Sequence, residues 1–460
     1  MSAIESYFRL EERGVTVRTE VVAGVTTFMT MAYILFVNPA ILGLGGDGLS
    51  FPQVLTVTAL AAGLMTILMG VIANYPFAIA AGLGLNAVVA FQLVAGEGLT
   101  FPEAMGVVLT EGIIITILVL TGFREAVLNA IPVELKKAIG AGIGLFITII
   151  GFANSGIVVP GPGGGGPVLA RGDVESVKIA IFALGFLVTI VLVARKVKGA
   201  LLYGIIATTI MAVVWNEAAG GTVWDTPGVA VIPEDFFAAP DFSLLGQFSF
   251  GYWAKLGFLA ALLAVFTLMI ADFFDTMGTA IALGNEGGFL DENDRLPGMN
   301  RVLLVDSIAA AAGGAASASS NTTYIESATG IEEGGRTGLT SVVVGVLFLL
   351  CLFISPLAGV IPPEATAVAL ILVGFFMISV VRELPWGDYT IAIPAFLTMV
   401  IMPFNFSITD GIGWGFISYT FLKLVSGKGR EVHWMMYGSS VAFLVFFAID
   451  PIRTLVFGGG

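Results

Sequence analysis

The chain has 460 residues, 57% of them hydrophobic and only 12% charged, with a mean hydropathy of +0.98. A soluble domain carries about 25% charged residues, so the composition excludes a water-soluble globule and identifies an all-α polytopic membrane protein. One cysteine and one histidine exclude a disulfide framework and a histidine-rich metal site, and a net charge of −13 argues against nucleic acid as a partner.

A helix that crosses a bilayer needs about 20 mostly apolar residues. On that measure, spans are expected near 21–42, 52–73, 77–95, 102–122, 135–153, 175–195 and 200–217. After a polar, aromatic-containing loop at 218–252 come spans near 255–283, 300–316, 320–331, 337–357, 363–381, 388–404 and 409–425. The apolar piece 434–449 is short for a span and is expected at the interface or packed late. Residues 1–20 are polar and carry Arg9, Arg13 and Arg18; they read as a retained arm, not a cleavable signal.

Positive charge recurs after alternate spans, at Arg124, Lys136 and Lys137, at Arg195, Lys196 and Lys198, and at Arg336, Arg382, Lys423 and Lys428. By the positive-inside rule the N-terminus is cytoplasmic. Seven spans in the first half make the second half enter inverted, as an inverted repeat requires. Lys198-Gly-Ala-Leu-Leu-Tyr-Gly-Ile and Asp410-Gly-Ile-Gly-Trp-Gly-Phe-Ile are a weak internal match in the same sense.

The third span of each half is the unusual one. In span 3, Pro76 removes a helical donor, Gly82 and Gly84 weaken the helix, and Asn86 follows in the first turn of the second piece. The same glycines would also serve close helix approach. In span 10, the run from Ser317 to Thr322 is polar and extended, and a short helix carrying Glu326 follows. Lipid tolerates neither bare backbone nor a carboxylate at that depth, so the stretch must line a protein interior or a wet cavity. Two interrupted spans at matching places point to a transporter site, and their short extended leads are expected to pair.

Span 8 places Asp272, Asp275 and Thr279 on one helix face. With Glu326, the acids form a buried carboxylate cluster able to share a coupling proton. Asp272 alone would equally serve as a cap or an interhelical hydrogen-bonding group. The cluster offers acceptors, an amide, hydroxyls and the aromatics Phe77, Phe91 and Tyr324, and no arginine or lysine lies deep in any span. Such a site disfavours an anion and suits a flat, neutral, donor-rich ring. Cys351 reads as plain packing. No zinc motif, nucleophile elbow or phosphate loop is present, so the chain reads as a carrier without a cofactor or metal, not as an enzyme.

At these motifs the chain resembles a known family. Asn-Thr-Thr-Tyr-Ile-Glu-Ser-Ala-Thr-Gly-Ile-Glu-Glu-Gly-Gly-Arg-Thr-Gly-Leu-Thr (321–340), Asp-Phe-Phe-Asp-Thr-Met-Gly-Thr (272–279) and Ala-Gly-Leu-Gly-Leu-Asn-Ala (81–87) are similar to signatures of the adenine/guanine/hypoxanthine branch of the xanthine–uracil permease (nucleobase–ascorbate transporter) superfamily. The run from Thr27 to Pro39 resembles its span 1. The resemblance implies 14 spans in two inverted repeats of seven, with short strands and half-helices in spans 3 and 10. It implies a core domain in two parts (1–132 and 253–360) and a gate domain in two parts (133–252 and 361–460). The implied activity is import of purine nucleobases by proton symport, with alternating access between core and gate.

Implied substrate contacts are Asp275, Thr279, Glu326 and Asn86, joined by Thr323, Tyr324 and Phe77; implied proton carriers are Glu326, Asp275 and Asp272. Which of Asp272 and Asp275 touches substrate is left open. Thr279 stands where uracil permeases have a histidine, which fits the purine branch. Implied partners are a purine, a proton (with sodium still open) and the lipid of the cell membrane; a homodimer is compatible. The competing reading is an anion transporter of the sulfate-carrier type, on the same architecture but with a deep basic residue.

Overall fold

A computed structural model describes residues 3–43, 48–121, 131–161, 169–224, 226, 228–292 and 295–457. The apolar segments form helices, eight of which are long and apolar enough to cross a membrane among the described residues. The first span divides into α1 (Val17–Met31) and α2 (Ile34–Leu42). One tight turn separates them, with Leu35 bonded to Ala32 (3.1 Å) and Phe36 to Tyr33 (3.0 Å). Sequence pattern gave no sign of that break, because every residue in it is compatible with a helix.

The remaining first-half elements are α3 (Phe51–Ala73), β1 (Ile79–Ala81), α4 (Leu83–Ala87), α5 (Phe101–Thr121), α6 (Val133–Asn154), α7 (Val177–Ala194) and α8 (Ala200–Ala218). A small hairpin, β2 (Val158–Pro160) and β3 (Leu169–Arg171), stands between α6 and α7. The glycine run 161–166 lies almost entirely outside the described residues, as does Arg124. The second half comprises α9 (Phe258–Glu286), α10 (Met299–Ala316), β4 (Asn321–Thr323), α11 (Ser327–Glu332), α12 (Gly338–Leu350), α13 (Pro363–Ile378), α14 (Tyr389–Asn405) and α15 (Ile408–Val425). The last apolar piece is longer than expected: α16 runs from Trp434 to Phe457 and packs on α15.

The packing exchanges the two halves. Helix α3 lies along α12 as α10 lies along α5, and α1 meets α12 as α9 meets α5. The α7–α8 pair recurs as α14–α15, while α6 and α13 pack on each other. Across this twofold arrangement β1 and β4 pair antiparallel, with Ile79 opposite Thr323 and Ala81 opposite Asn321. The pairing expected from the two interrupted spans is therefore present.

Small residues let the helices approach. Gly70 of α3 faces Gly338 at the start of α12, and a Cβ on either would run into the carbonyl of the other. Forcing side chains into a close-packed contact costs about 1–3 kcal/mol. Gly338→Leu is therefore expected to lower the midpoint of thermal unfolding in detergent, whereas Gly387→Ala, at a position with open space, should leave it unchanged.

Candidate functional site

The paired strands hold the site together because they close its backbone. Gly82 N–H donates to the Ser320 carbonyl and Tyr324 N–H to that of Ala78, both at 2.9 Å. Side chains complete the set: Ala78 N–H donates to Ser327 Oγ (2.9 Å) and Ile79 N–H to Thr66 Oγ1 (2.9 Å). The Thr66 hydroxyl returns a bond to the Ile79 carbonyl (2.8 Å). Without such partners each buried polar group would cost several kcal/mol in hydrocarbon. The Ser/Thr-rich sequence ahead of Glu326 is thus a set of backbone partners as well as a lead to the site.

Beside the strands lies a cavity of about 380 Å³, walled by Ile139 and Ile143 of α6, Asp275 and Thr279 of α9, Ile325, and Phe376 of α13. An inner recess of about 100 Å³ shares Asp275, Thr279 and Ile325, and adds Tyr33, Thr323, Tyr324 and Glu326. Asp275 is open to this space, and Glu326 is half-buried. Tyr33 Oη donates to Glu326 Oε1 at 2.6 Å. Tyr324 Oη donates to the Ala81 carbonyl at 2.5 Å. None of the ion pairs among the described residues involves Asp275 or Glu326. The basic residue on the cavity wall, Lys136, belongs to the first turn of α6.

Behind the recess is a second layer of acids, fully buried. Asp306 of α10 accepts from the Thr323 amide (2.9 Å) and hydroxyl (2.8 Å) through one oxygen. Its other oxygen accepts from the Thr276 hydroxyl (2.5 Å), which also meets Thr322 Oγ1 (2.8 Å). One carboxylate thereby ties α9 to β4. Glu111 of α5 is also buried, with the Ser320 hydroxyl 3.4 Å away. No group of three or more metal-ligating side chains occurs among the described residues.

The structure brings Asp275, Thr279, Thr323, Tyr324 and Glu326 to one recess. It does not bring all the predicted residues there. Asp272 is buried and lines neither space. Asn86 is fully buried on α4, and neither atom of its amide has a hydrogen-bond partner. Phe77 is a correction: its ring stacks on Tyr75 (5.2 Å, 18°) within a core cluster that includes Phe289, away from the cavity. An aromatic in the extended lead simply met other aromatics before it met the site. Sequence reasoning missed Tyr33, Asp306 and Glu111. The two acids were legible as ionisable groups within apolar spans; Tyr33 was not, since a tyrosine in a span usually reads as an interface or core residue.

Residues 18–452 match the model of the Permease family, Xan_ur_permease. The guanine/hypoxanthine permease PbuG of Bacillus subtilis (strain 168) is 39% identical over 452 residues, covering 96% of this chain and 99% of that protein. The adenine permease AdeP of Escherichia coli (strain K12) is 40% identical over 429 residues, covering 93% and 92%. Among solved structures, the transmembrane domain of a cyanobacterium bicarbonate transporter, BicA, superposes with a TM-score of 0.59 at 15% identity, over 86% of this chain and 97% of that one. SLC26A9 gives 0.60 at 11% identity, over 89% and 66%. Identities this low carry the fold alone, and that fold agrees with the inverted-repeat packing.

The Asp306 linkage has a direct consequence. Asp306→Ala leaves the Thr323 amide and two hydroxyls without their buried acceptor, at about 1–3 kcal/mol per unsatisfied group. Thermal unfolding in detergent should show a large loss of stability for Asp306→Ala and a smaller one for Asp306→Asn, which keeps an acceptor oxygen.

Proposed function

Because the chain belongs to the xanthine–uracil permease family, we propose that it is a secondary transporter that carries purine nucleobases into the cell together with protons. The observation that carries the reading is the pair Asp275 and Glu326. They reach one recess from two helices, with no basic residue among the described residues that line that recess and a phenol holding one carboxylate oxygen. A purine presents ring and exocyclic N–H groups along its edges, and carboxylates are acceptors when ionised. Thr279, Thr323 and the Tyr324 ring line the same recess. Asn86 is proposed as a further contact, since its amide is unpartnered where a buried amide ordinarily is not.

Glu326 and Asp275 are proposed as the proton carriers. A carboxylate sealed from water without a partner is costly, and a proton removes its charge. Substrate and proton entering together therefore make closure of the recess affordable. In this reading α1–α5 and α9–α12 form a core, and α6–α8 and α13–α15 form a gate, against which the core moves. The Lys136 end of the cavity then faces the cytoplasm, where the positive-inside pattern puts the N-terminus of a plasma-membrane protein. An anion carrier on the same fold would need a fixed cation in the recess.

Uptake of radiolabelled guanine, hypoxanthine and adenine by cells lacking their own purine carriers tests the proposal. Uptake should be competed by unlabelled purines, unaffected by sulfate, and lost when an uncoupler collapses the proton gradient. Competition by sulfate alone would sink it. Asp275→Asn and Glu326→Gln should each cut uptake at least about tenfold at unchanged membrane abundance, since a hydrogen bond to a charged group contributes about 1.5–3 kcal/mol. Tyr33→Phe removes the positioning bond but no charge, so KM should rise by roughly tenfold with a smaller change in maximal rate.

A further inference from the structure

The first residues of any helix leave amide N–H groups without an intrahelical acceptor. At the start of α15 the Ser407 hydroxyl takes one of these, the Asp410 amide, at 3.1 Å. The Ile408 and Thr409 amides go elsewhere. Both donate to Oε1 of Gln92, at 3.1 and 3.2 Å. Gln92 sits on the π-helical continuation of α4, Val88–Gly96, 316 residues away in sequence from Ile408. Its Nε2 donates to Thr409 Oγ1, and that hydroxyl donates to Thr267 Oγ1 of α9 at 3.1 Å. Gln92, Thr267, Ile408 and Thr409 are all buried.

The neighbouring residue, Phe91, meets Phe146 of α6 edge-on at 6.0 Å and Phe406 at 6.4 Å, while Phe146 and Phe406 lie 5.5 Å apart. Phe146 stands about 15 Å further along α6 than Lys136 at 1.5 Å per residue. Ile139 and Ile143, between them, wall the cavity. The aromatic cluster and the Gln92 cap therefore lie toward the end of the cavity away from Lys136.

We infer that Gln92, Thr409 and Thr267, with the Phe91–Phe146–Phe406 cluster, form the latch that seals the recess on the side away from Lys136, and that this latch releases whenever that side opens. The inference rests on the core-and-gate reading above: Gln92 and Thr267 belong to the core, Thr409 to the gate. The chemistry suits a contact made and broken repeatedly. Neutral hydrogen bonds exchange with water at a small net cost, whereas a buried ion pair would lock one state. A fixed cap looks different. Glu20 of α1 caps the start of α12 through the Arg336 amide (2.8 Å), the Thr340 amide (3.1 Å) and the Thr340 hydroxyl (2.6 Å), a charged group joining two core helices.

Thiol accessibility tests the latch without reference to substrate. In a Cys351→Ser background, Ile150→Cys places a reporter one turn beyond Phe146 on α6, where it is buried. A membrane-impermeant maleimide is added from the side away from the N-terminus. Gln92→Leu should speed labelling by about tenfold, the value of one or two lost hydrogen bonds, while Gln92→Glu, which still offers an acceptor to both amides, should label close to the parent rate. Thr409→Ala removes only the side-chain link and should fall between them; it decides the matter if Gln92→Leu does not fold. Parent-rate labelling in Gln92→Leu, or in Thr409→Ala where that variant must decide, overturns the latch. Purine uptake by the parent is read separately, so failure of the transport reading and failure of the latch are distinguishable.

Discussion

The constraint on which the structure depends is the satisfaction of backbone polar groups inside hydrocarbon. A membrane protein places non-helical chain at mid-depth only if something other than lipid or water bonds its amides and carbonyls. Here each interrupted span supplies what the other lacks, through three residues of antiparallel ladder and a ring of hydroxyls from Thr66, Ser327 and Ser341. Because β1 belongs to one half and β4 to the other, neither break can form alone. The site exists only where the halves meet, so the inverted repeat is a condition of the chemistry as well as a packing pattern.

That arrangement also separates acids that hold the structure from acids that face the cavity. Asp306 has its oxygens occupied by Thr323 and Thr276, so it is spent on geometry. Asp275 and Glu326 stand one layer nearer the cavity, with at least one oxygen between them free for a ligand. Tyr33 links two parts of the chain: the turn between α1 and α2 delivers a phenol to Glu326, so the shape of the first span helps hold an acid of the tenth. A neutral donor can do this without contributing a charge of its own.

Much of this was legible in the sequence, and the limits of that reading are physical. Apolar length revealed the spans, and the Ser/Thr run ahead of Glu326 revealed the broken one, because hydrocarbon makes polar residues costly enough to need a reason. By the same rule Glu111 and Asp306 stand out in α5 and α10, yet a single acid in a span does not announce whether it serves structure or ligand. Phe77 and Tyr33 failed in opposite directions. Both are aromatics near a helix break, and only the three-dimensional neighbours decided that Phe77 packs on Tyr75 while Tyr33 turns to Glu326. The extension of α4 into a wider turn at Val88–Gly96 has no helix-breaking signal in its sequence, although Gln92 is a polar residue within an otherwise apolar run.

A carrier must keep its two states within a few kcal/mol of each other, or one of them is never visited. The contacts that cross between core and gate should therefore be weak individually and replaceable by water, and those within each body should not. Glu20 on the amides of α12 is of the second kind, charged and buried inside one body. Gln92 on the amides of α15 would be of the first, neutral and, on the proposed core-and-gate division, astride two. On the proposed division the Lys198–Glu333 ion pair would also join the two bodies, but both side chains are more than a third exposed, and exposed pairs contribute only about 0–1 kcal/mol. On the core-and-gate reading proposed above, each end of the molecule would close through contacts weak enough to exchange, while the paired strands between them would stay fixed.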